Sequence, residues 1–432
     1  MKSSASSALI LLLVTCFSVA TFGMADSTRA DVTKTCECRP RQGLPNVLAK
    51  LKAGEAVRIA YLGGSITEAG GWRPMTLAWF RSAFPQAKVE EIHAAISGTG
   101  SDYGAIRLPG DVLSRKPDLL FVEFRVNGSA GYDYQSAEGI VRQTLAANPR
   151  TDICFVYTLC EAMLKDLSVG RQTSFGVAME RVCDHYGIPS IDFAPEIVNR
   201  LKDPATFVFK PTRQALKAEA IQMDERAKRN AKNPDAGKLV FAQDGVHPGK
   251  EGHQLYCDIV VRSMTNCIFP VSGVAKPHMM PPQLSKNVWL ATEMVPATNI
   301  LNGAAWTVIA DGRTDPVYGD TFWRTDKMLR GGVWTAQEGA TFRIKWIGNT
   351  LGFSDIPQAK AGEPPIEIEV AVDGGKPLVY RRDRTPESRI YSRFVYLPEY
   401  EWKEHEAVFT VRKVPFGQRC VFGQFLVVGH RL

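Results

Sequence analysis

A serine becomes a nucleophile only when a base lies within reach of its hydroxyl, and this chain has seven histidines to supply one. His93 falls inside a strand-like run, and His185 lies mid-helix beside Asp184. His278 sits in a proline-rich stretch, and His405 and His430 lie in the C-terminal third. His247 and His253 remain, at the start of a last amphipathic helix. Only His247 has an acid at close local spacing, in Asp244-Gly245-Val246-His247-Pro248. A carboxylate three residues earlier on a glycine-containing turn can reach Nδ1 and fix the tautomer, which leaves Nε2 free for a hydroxyl. Asp244, His247 and His253 as a metal set match no strong ligand spacing, so no metal and no cofactor are expected.

The partner hydroxyl is sought where an open parallel sheet binds ligands, outside the carboxyl ends of its strands. The first apolar run, 56–62, ends in Gly63-Gly64-Ser65-Ile66-Thr67, with the Ser65 hydroxyl at the edge. The second ends in Ile96-Ser97-Gly98-Thr99-Gly100, where backbone amides can turn toward a ligand. The third ends in Arg125-Val126-Asn127-Gly128 and presents a side-chain amide. Taken singly, Ser65 could be a helix cap, Gly98 a turn residue and Asn127 a loop amide. A phosphate loop is excluded because Gly63-Gly64-Ser65 lacks the Gly-Lys-Ser/Thr ending.

Strand-like runs at 56–62, 88–96, 118–124, 153–157 and 190–193 alternate with helical patterns at 72–84, 105–113, 136–147, 175–186 and 249–267. That alternation predicts βαβ units, hence a flavodoxin-like three-layer α/β/α sandwich with a central parallel sheet over 55–268. An N-terminal segment, 26–54, precedes it. The charged stretch 202–238 reads as a solvated helical insertion. Prolines 270, 277, 281 and 282 mark a linker over 269–285. From 286 to 432 apolar and charged residues alternate, as in Phe342-Arg343-Ile344-Lys345-Trp346, and Asp373-Gly374-Gly375 marks a tight turn. This pattern predicts an antiparallel β-sandwich, jelly-roll-like. Six of the eight tryptophans lie there, and most are expected in its core.

Ser65 in Gly-Gly-Ser, Gly98 in Ile-Ser-Gly, Asn127 after an apolar strand and Asp244-x-x-His247 resemble, in order and spacing, the four blocks of the SGNH/GDSL hydrolases. The branch whose first block reads Gly-Gly-Ser-Ile-Thr is the most similar. The resemblance covers about 55–268 and implies the SGNH hydrolase fold and a serine esterase. In that reading Ser65 attacks an ester carbonyl, His247 takes its proton and Asp244 orients the imidazole. The N–H groups of Ser65 and Gly98 and the Asn127 side chain form the oxyanion hole. The implied substrate is an O-acyl ester, by preference O-acetyl, on a carbohydrate. Ile66 stands where the usual motif has Asp, and Gly128 follows Asn127 where Asp is commoner; these departures bear on subfamily and substrate. Ser65 lacks the Gly-x-Ser-x-Gly elbow of an ordinary lipase fold, because Thr67 occupies its last position. Two alternatives stand beside this reading: a polysaccharide O-acyltransferase using the same site, and a carbohydrate-binding protein with a vestigial one.

At 432 residues the chain suits two domains, and its 45% apolar and 22% charged residues exclude a disordered or coiled-coil chain. The net charge of +7 is mild for this length and no dense basic patch stands out, so nucleic acid is not an expected partner. Lys2, the apolar run from Ala8 to Phe22 and Gly23-Met24-Ala25 form a signal-peptide pattern, with cleavage expected after Ala25. Export to the periplasm or exterior follows, with no integral membrane segment after cleavage. Cleavage removes Cys16, and the even eight cysteines left favour disulfides in an exported chain; the other reading makes Cys154, Cys160 and Cys183 small buried apolar residues. Oligomeric state and the particular glycan are not legible.

Overall fold

Short apolar runs form the inner strands of the first sheet. The structure is a computed structural model that describes residues 31–211, 234–301, 303–317, 327–357, 362–382 and 393–432. The expected signal segment and the central part of the charged insertion lie outside them. β1 is Cys38–Arg39, β2 Val57–Gly63, β3 Val89–Ala95, β4 Leu119–Glu123, β5 Asp152–Tyr157 and β6 Ser190–Asp192. They form one sheet in the order β1-β6-β5-β4-β2-β3. β2 to β6 pair in parallel, and β4 and β5 are buried throughout, as strands covered on both faces must be. The sheet is not wholly parallel, because β1 pairs antiparallel to β6, Cys38 opposite Ile191. This short N-terminal segment joins the edge without needing a crossover.

Helices cover both faces: α1 Pro45–Lys52, α2 Ser65–Glu68, α3 Trp72–Ala83, α4 Ser101–Asp111, α5 Asp133–Ala147, α6 Leu164–Leu167, α7 Ser174–Tyr186, α8 Ala194–Arg200 and α9 Lys250–Ser263. One apolar layer joins α1, α3 and α9 to the sheet through Trp72, Phe80, Phe121 and Tyr256. The other joins α4, α5 and α7 through Leu108, Ile140 and Val182. α1, unforeseen in the sequence, begins with Pro45, whose fixed φ suits a first helical position. A small parallel pair, β7 Phe207–Val208 and β8 Leu239–Val240, flanks the charged insertion.

The C-terminal region is antiparallel. Its strands are β9 Thr292–Pro296, β10 Thr307–Val308, β11 Val333–Thr335, β12 Thr341–Asp355, β13 Ile366–Val372, β14 Leu378–Arg382, β15 Arg393–Tyr396, β16 Lys403–Lys413, β17 Cys420–Phe422 and β18 Gln424–Arg431. Among the described residues β14-β13-β16-β12-β18-β9, with β15 on β12, make a seven-stranded sheet, and β10-β11-β17 a three-stranded one. Phe342, Phe409 and Phe425 of the large sheet share one core with Val333 and Phe422 of the small sheet. Phe342 and Phe422 meet edge-on at 5.1 Å. Trp289 and Trp346 are buried, whereas Trp402 is 49% exposed.

The segment between the two regions is docked rather than free. The buried Glu138 carboxylate of α5 accepts from the backbone N–H groups of Leu284 and Ser285 and from the Ser285 hydroxyl. His278 Nε2 lies 2.7 Å from Asp152 at the start of β5. Trp289, Met328, Leu426 and Val428 from the C-terminal region belong to the apolar layer of α4, α5 and α7. Tyr103 stacks on Phe394 at 4.2 Å, and Tyr396 donates to the buried Asp102 at 2.8 Å. The disulfide expectation is not met. All eight described cysteines are unpaired, and Cys154, Cys183, Cys257 and Cys420 are buried as small apolar side chains. Burial pushes the Cys154 thiol well up and that of Cys257 to about 11, so neither supplies a reactive thiolate.

Candidate active site

At the carboxyl end of β2 the chain turns through Gly63-Gly64 straight into α2, which leaves Ser65 half-buried as its first residue. A Cβ on Gly64 would lie 2.0 Å from Asn127 Oδ1, so only glycine lets the two loops approach this closely. Behind the turn, the buried Glu123 closes β4. It accepts hydrogen bonds from the Gly64 N–H, the Thr67 hydroxyl at 2.8 Å and the Thr158 hydroxyl at 2.5 Å. Burial pushes the Glu123 carboxyl above the usual range, and these donors with nearby Arg125 oppose that rise. Arg125 is itself buried, with Asp192 at 2.7 Å and the Thr158 and Tyr157 carbonyls as further acceptors.

Across the cleft, Asp244 shapes the turn that leads into α9. Its Oδ1 accepts from the backbone N–H groups of Val246 at 2.9 Å and His247 at 2.8 Å. Its Oδ2 lies 2.7 Å from His247 Nδ1, and His247 Nε2 lies 2.8 Å from Ser65 Oγ. Burial alone would raise the Asp244 carboxyl, but the two N–H donors and the imidazole outweigh it and hold it below the usual carboxylate range. The three groups expected to act together therefore form one continuous hydrogen-bonded line, in which Ser65 and His247 lie 182 residues apart in the chain.

The two other residues expected at the site border it. Gly98 adopts φ +72°, a left-handed conformation that glycine takes without strain. Its neighbour Ser97 donates its N–H at 2.8 Å, and its hydroxyl, to Glu68 Oε2 on Ser65's own helical turn. The Ser101 N–H donates to the Gly128 carbonyl at 2.9 Å, which ties the Gly98 loop to the Asn127 loop. Ile66, where the usual motif has Asp, is packed in the apolar core. His253, weighed beside His247 in the sequence, is instead buried, and its Nδ1 accepts from the Trp72 N–H at 3.3 Å. Burial chiefly, with His247 nearby, depresses it to about 4. Among the described residues no group of three or more His, Cys, Asp or Glu is arranged to hold a metal, and no helix is long and apolar enough to cross a membrane.

Residues 61–255 match the family model of the GDSL-like Lipase/Acylhydrolase family. The chain carries a GDSL-like hydrolase domain. The GDSL-like domain and the C-terminal sheets together resemble a two-domain esterase (CEX) active on acetylated mannans, co-crystallised with mannopentaose. Identity is 19%, coverage is 91% of this chain and 97% of that one, and the TM-score is 0.66. A second structure of such a two-domain esterase aligns at 20% identity over 90% and 96% of the two chains, with a TM-score of 0.64. At this identity the likeness establishes the fold: an SGNH hydrolase sheet followed by an antiparallel sheet domain. No curated protein matches the sequence.

Glu68, Glu123, Arg125 and Lys327 went unnoticed in the sequence. Glu123 and Arg125 had a signal, since a charge within an otherwise buried strand needs a partner. Lys327 had none, because its partner lies 259 residues away.

Proposed function

We propose that this protein is an exported serine esterase that removes O-acyl groups, by preference acetyl, from a carbohydrate. The observation that carries the reading is the Ser65 Oγ to His247 Nε2 to Asp244 line, at 2.8 and 2.7 Å. Such an arrangement lets the hydroxyl proton pass to Nε2 as Oγ attacks an ester carbonyl. Asp244, ionised well into acid, holds the ring with Nδ1 donating and stabilises the imidazolium. The negative charge forming on the carbonyl oxygen is met by the N–H groups of Ser65 and Gly98 and by the Asn127 amide. The imidazolium then gives its proton to the sugar oxygen as its bond to the acyl carbon breaks, so the sugar leaves as an alcohol and an acyl-serine remains. Water, deprotonated by His247, attacks the acyl carbon; acetate leaves and Ser65 regains its proton.

The carbohydrate preference rests on the two-domain neighbours that act on acetylated mannans, which makes acetylated mannan the first polymer to test. Purified protein should hydrolyse an aryl acetate and release acetate from acetylated mannan, and Ser65→Ala should do neither. Equal aryl-acetate rates in the two proteins would end the assignment of Ser65. Acetyl transfer to an added acceptor sugar in preference to water would turn the reading toward an acyltransferase.

A further inference from the structure

Beside its site, the GDSL-like domain takes one hydrogen-bond donor from the C-terminal region. Glu68 lies three residues after Ser65 on α2, and both of its oxygens are engaged. Oε2 accepts from the Ser97 N–H and hydroxyl, immediately before Gly98. Oε1 faces Lys327 Nζ at 2.5 Å, and Lys327 belongs to the C-terminal region. The lysine is firmly mounted. Its carbonyl accepts from Gln424 Nε2 at 3.3 Å, Gln424 Oε1 accepts from the Tyr103 hydroxyl at 2.9 Å, and the next residue, Met328, is buried between the regions. Burial opposes the Glu68 charge, and the bonds from Lys327 and Ser97 outweigh it, so the carboxyl sits below its usual range.

A carboxylate with three donors at fixed positions has one preferred orientation, and charge-assisted bonds of this kind are roughly twice as strong as neutral ones. Without the ammonium, Glu68 can turn toward solvent and release the Ser97 N–H. Gly98, with no side chain to brace it, would then lose the restraint on its N-terminal side.

We infer that Lys327 is a positioning residue for the esterase site, through which the C-terminal sheet domain orients the Gly98 N–H by way of Glu68 and Ser97. This rests on the proposed esterase reading. It makes the C-terminal domain a working part of the hydrolytic site rather than an attached module.

The test is steady-state hydrolysis of an aryl acetate by the full chain, comparing wild type, Ser65→Ala, Lys327→Met, Lys327→Arg, Glu68→Gln and the Glu68→Gln/Lys327→Met pair. A small acetate makes no use of a distant sugar subsite, so a purely substrate-binding lysine would leave it unaffected. Displacing one oxyanion donor by a fraction of an ångström should lower kcat by about tenfold or more in Lys327→Met, with KM within about twofold. Lys327→Arg should recover most of the loss, and the double variant should be no slower than Glu68→Gln alone, because the residues act in series. A Lys327→Met kcat less than tenfold below wild type, a loss unrescued by arginine, or additive losses in the pair would overturn the inference. Wild-type hydrolysis that survives Ser65→Ala would instead overturn the esterase reading, and the inference with it. Far-ultraviolet circular dichroism and Tm of each variant separate an unfolded protein from a misdirected loop.

Discussion

Two histidine–aspartate pairs, one in each region, have nearly the same geometry and opposite prospects. In the GDSL-like domain His247 Nδ1 lies 2.7 Å from Asp244 Oδ2; in the C-terminal domain His405 Nδ1 lies 2.8 Å from Asp373 Oδ2. What differs is the far side of each ring. His247 Nε2 meets the Ser65 hydroxyl, while His405 Nε2 meets the Glu401 carbonyl at 2.8 Å and packs beside Trp346. A nitrogen facing a carbonyl oxygen must donate, so it has no lone pair with which to take a proton from a nucleophile. The His405 side chain is only 1% exposed, against 43% for His247. A histidine–carboxylate pair is thus a common fastener, and the third partner with access to the cleft separates a base from a brace.

The largest expected effect comes from removing the reactive pair's third partner or its base. Ser65→Ala or His247→Asn should lower kcat for aryl acetate by about 10⁴–10⁶-fold, whereas His405→Asn should leave it within about twofold while lowering Tm. A folded His405→Asn protein with comparable loss of activity would break the comparison. Next, Asp244→Asn should cost about 10⁴-fold by releasing the tautomer; Asp373→Asn, measured in the same assay, should not change kcat. Asn127→Ala should lower kcat by about 10²–10³-fold if its amide meets the oxyanion, and an unchanged kcat would remove it from the site.

Smaller effects follow from protonation. Because Asp244 is held below the usual carboxylate range, kcat/KM should fall on acidification with a slope of no more than one proton until that range is passed. A two-proton slope above the carboxylate range would contradict this. The smallest effect concerns His253, depressed to about 4 by burial and His247. Between its ordinary value near 6.5 and about 4 the unfolded chain binds a proton that the folded protein refuses, so stability falls as pH drops through that window. His253→Gln should flatten this part of the stability profile by about 1–3 kcal/mol, measurable by denaturant unfolding at pH 7 and pH 4.5. A profile unchanged by the substitution would show that another group carries the acid sensitivity.

The Asp244-x-x-His247 turn was legible because both residues lie on one local turn, whose geometry follows from three residues of chain. The strand ends carrying Ser65, Gly98 and Asn127 were legible for a related reason. Apolar runs broken by glycine mark where parallel strands stop, and those stops lie together at one sheet edge. Glu123 sits at such an end too, and its charge after Leu119-Leu120-Phe121-Val122 calls for buried donors. The cysteine count is a weaker guide: none of the eight described cysteines is bonded to another, and Cys154, Cys183, Cys257 and Cys420 are buried as small apolar side chains.

Local order along the chain therefore suffices for the alternating strands and helices, the antiparallel character of the C-terminal third and the pairing of Asp244 with His247, since each depends on residues within a few positions of one another. The third partner of each histidine, the antiparallel β1 edge, the docking of the 276–291 segment and the reach of Lys327 to Glu68 depend on surfaces that exist only after the helices and sheets have packed. No periodicity encodes them, because burial and hydrogen-bond geometry between distant segments are properties of the assembled core.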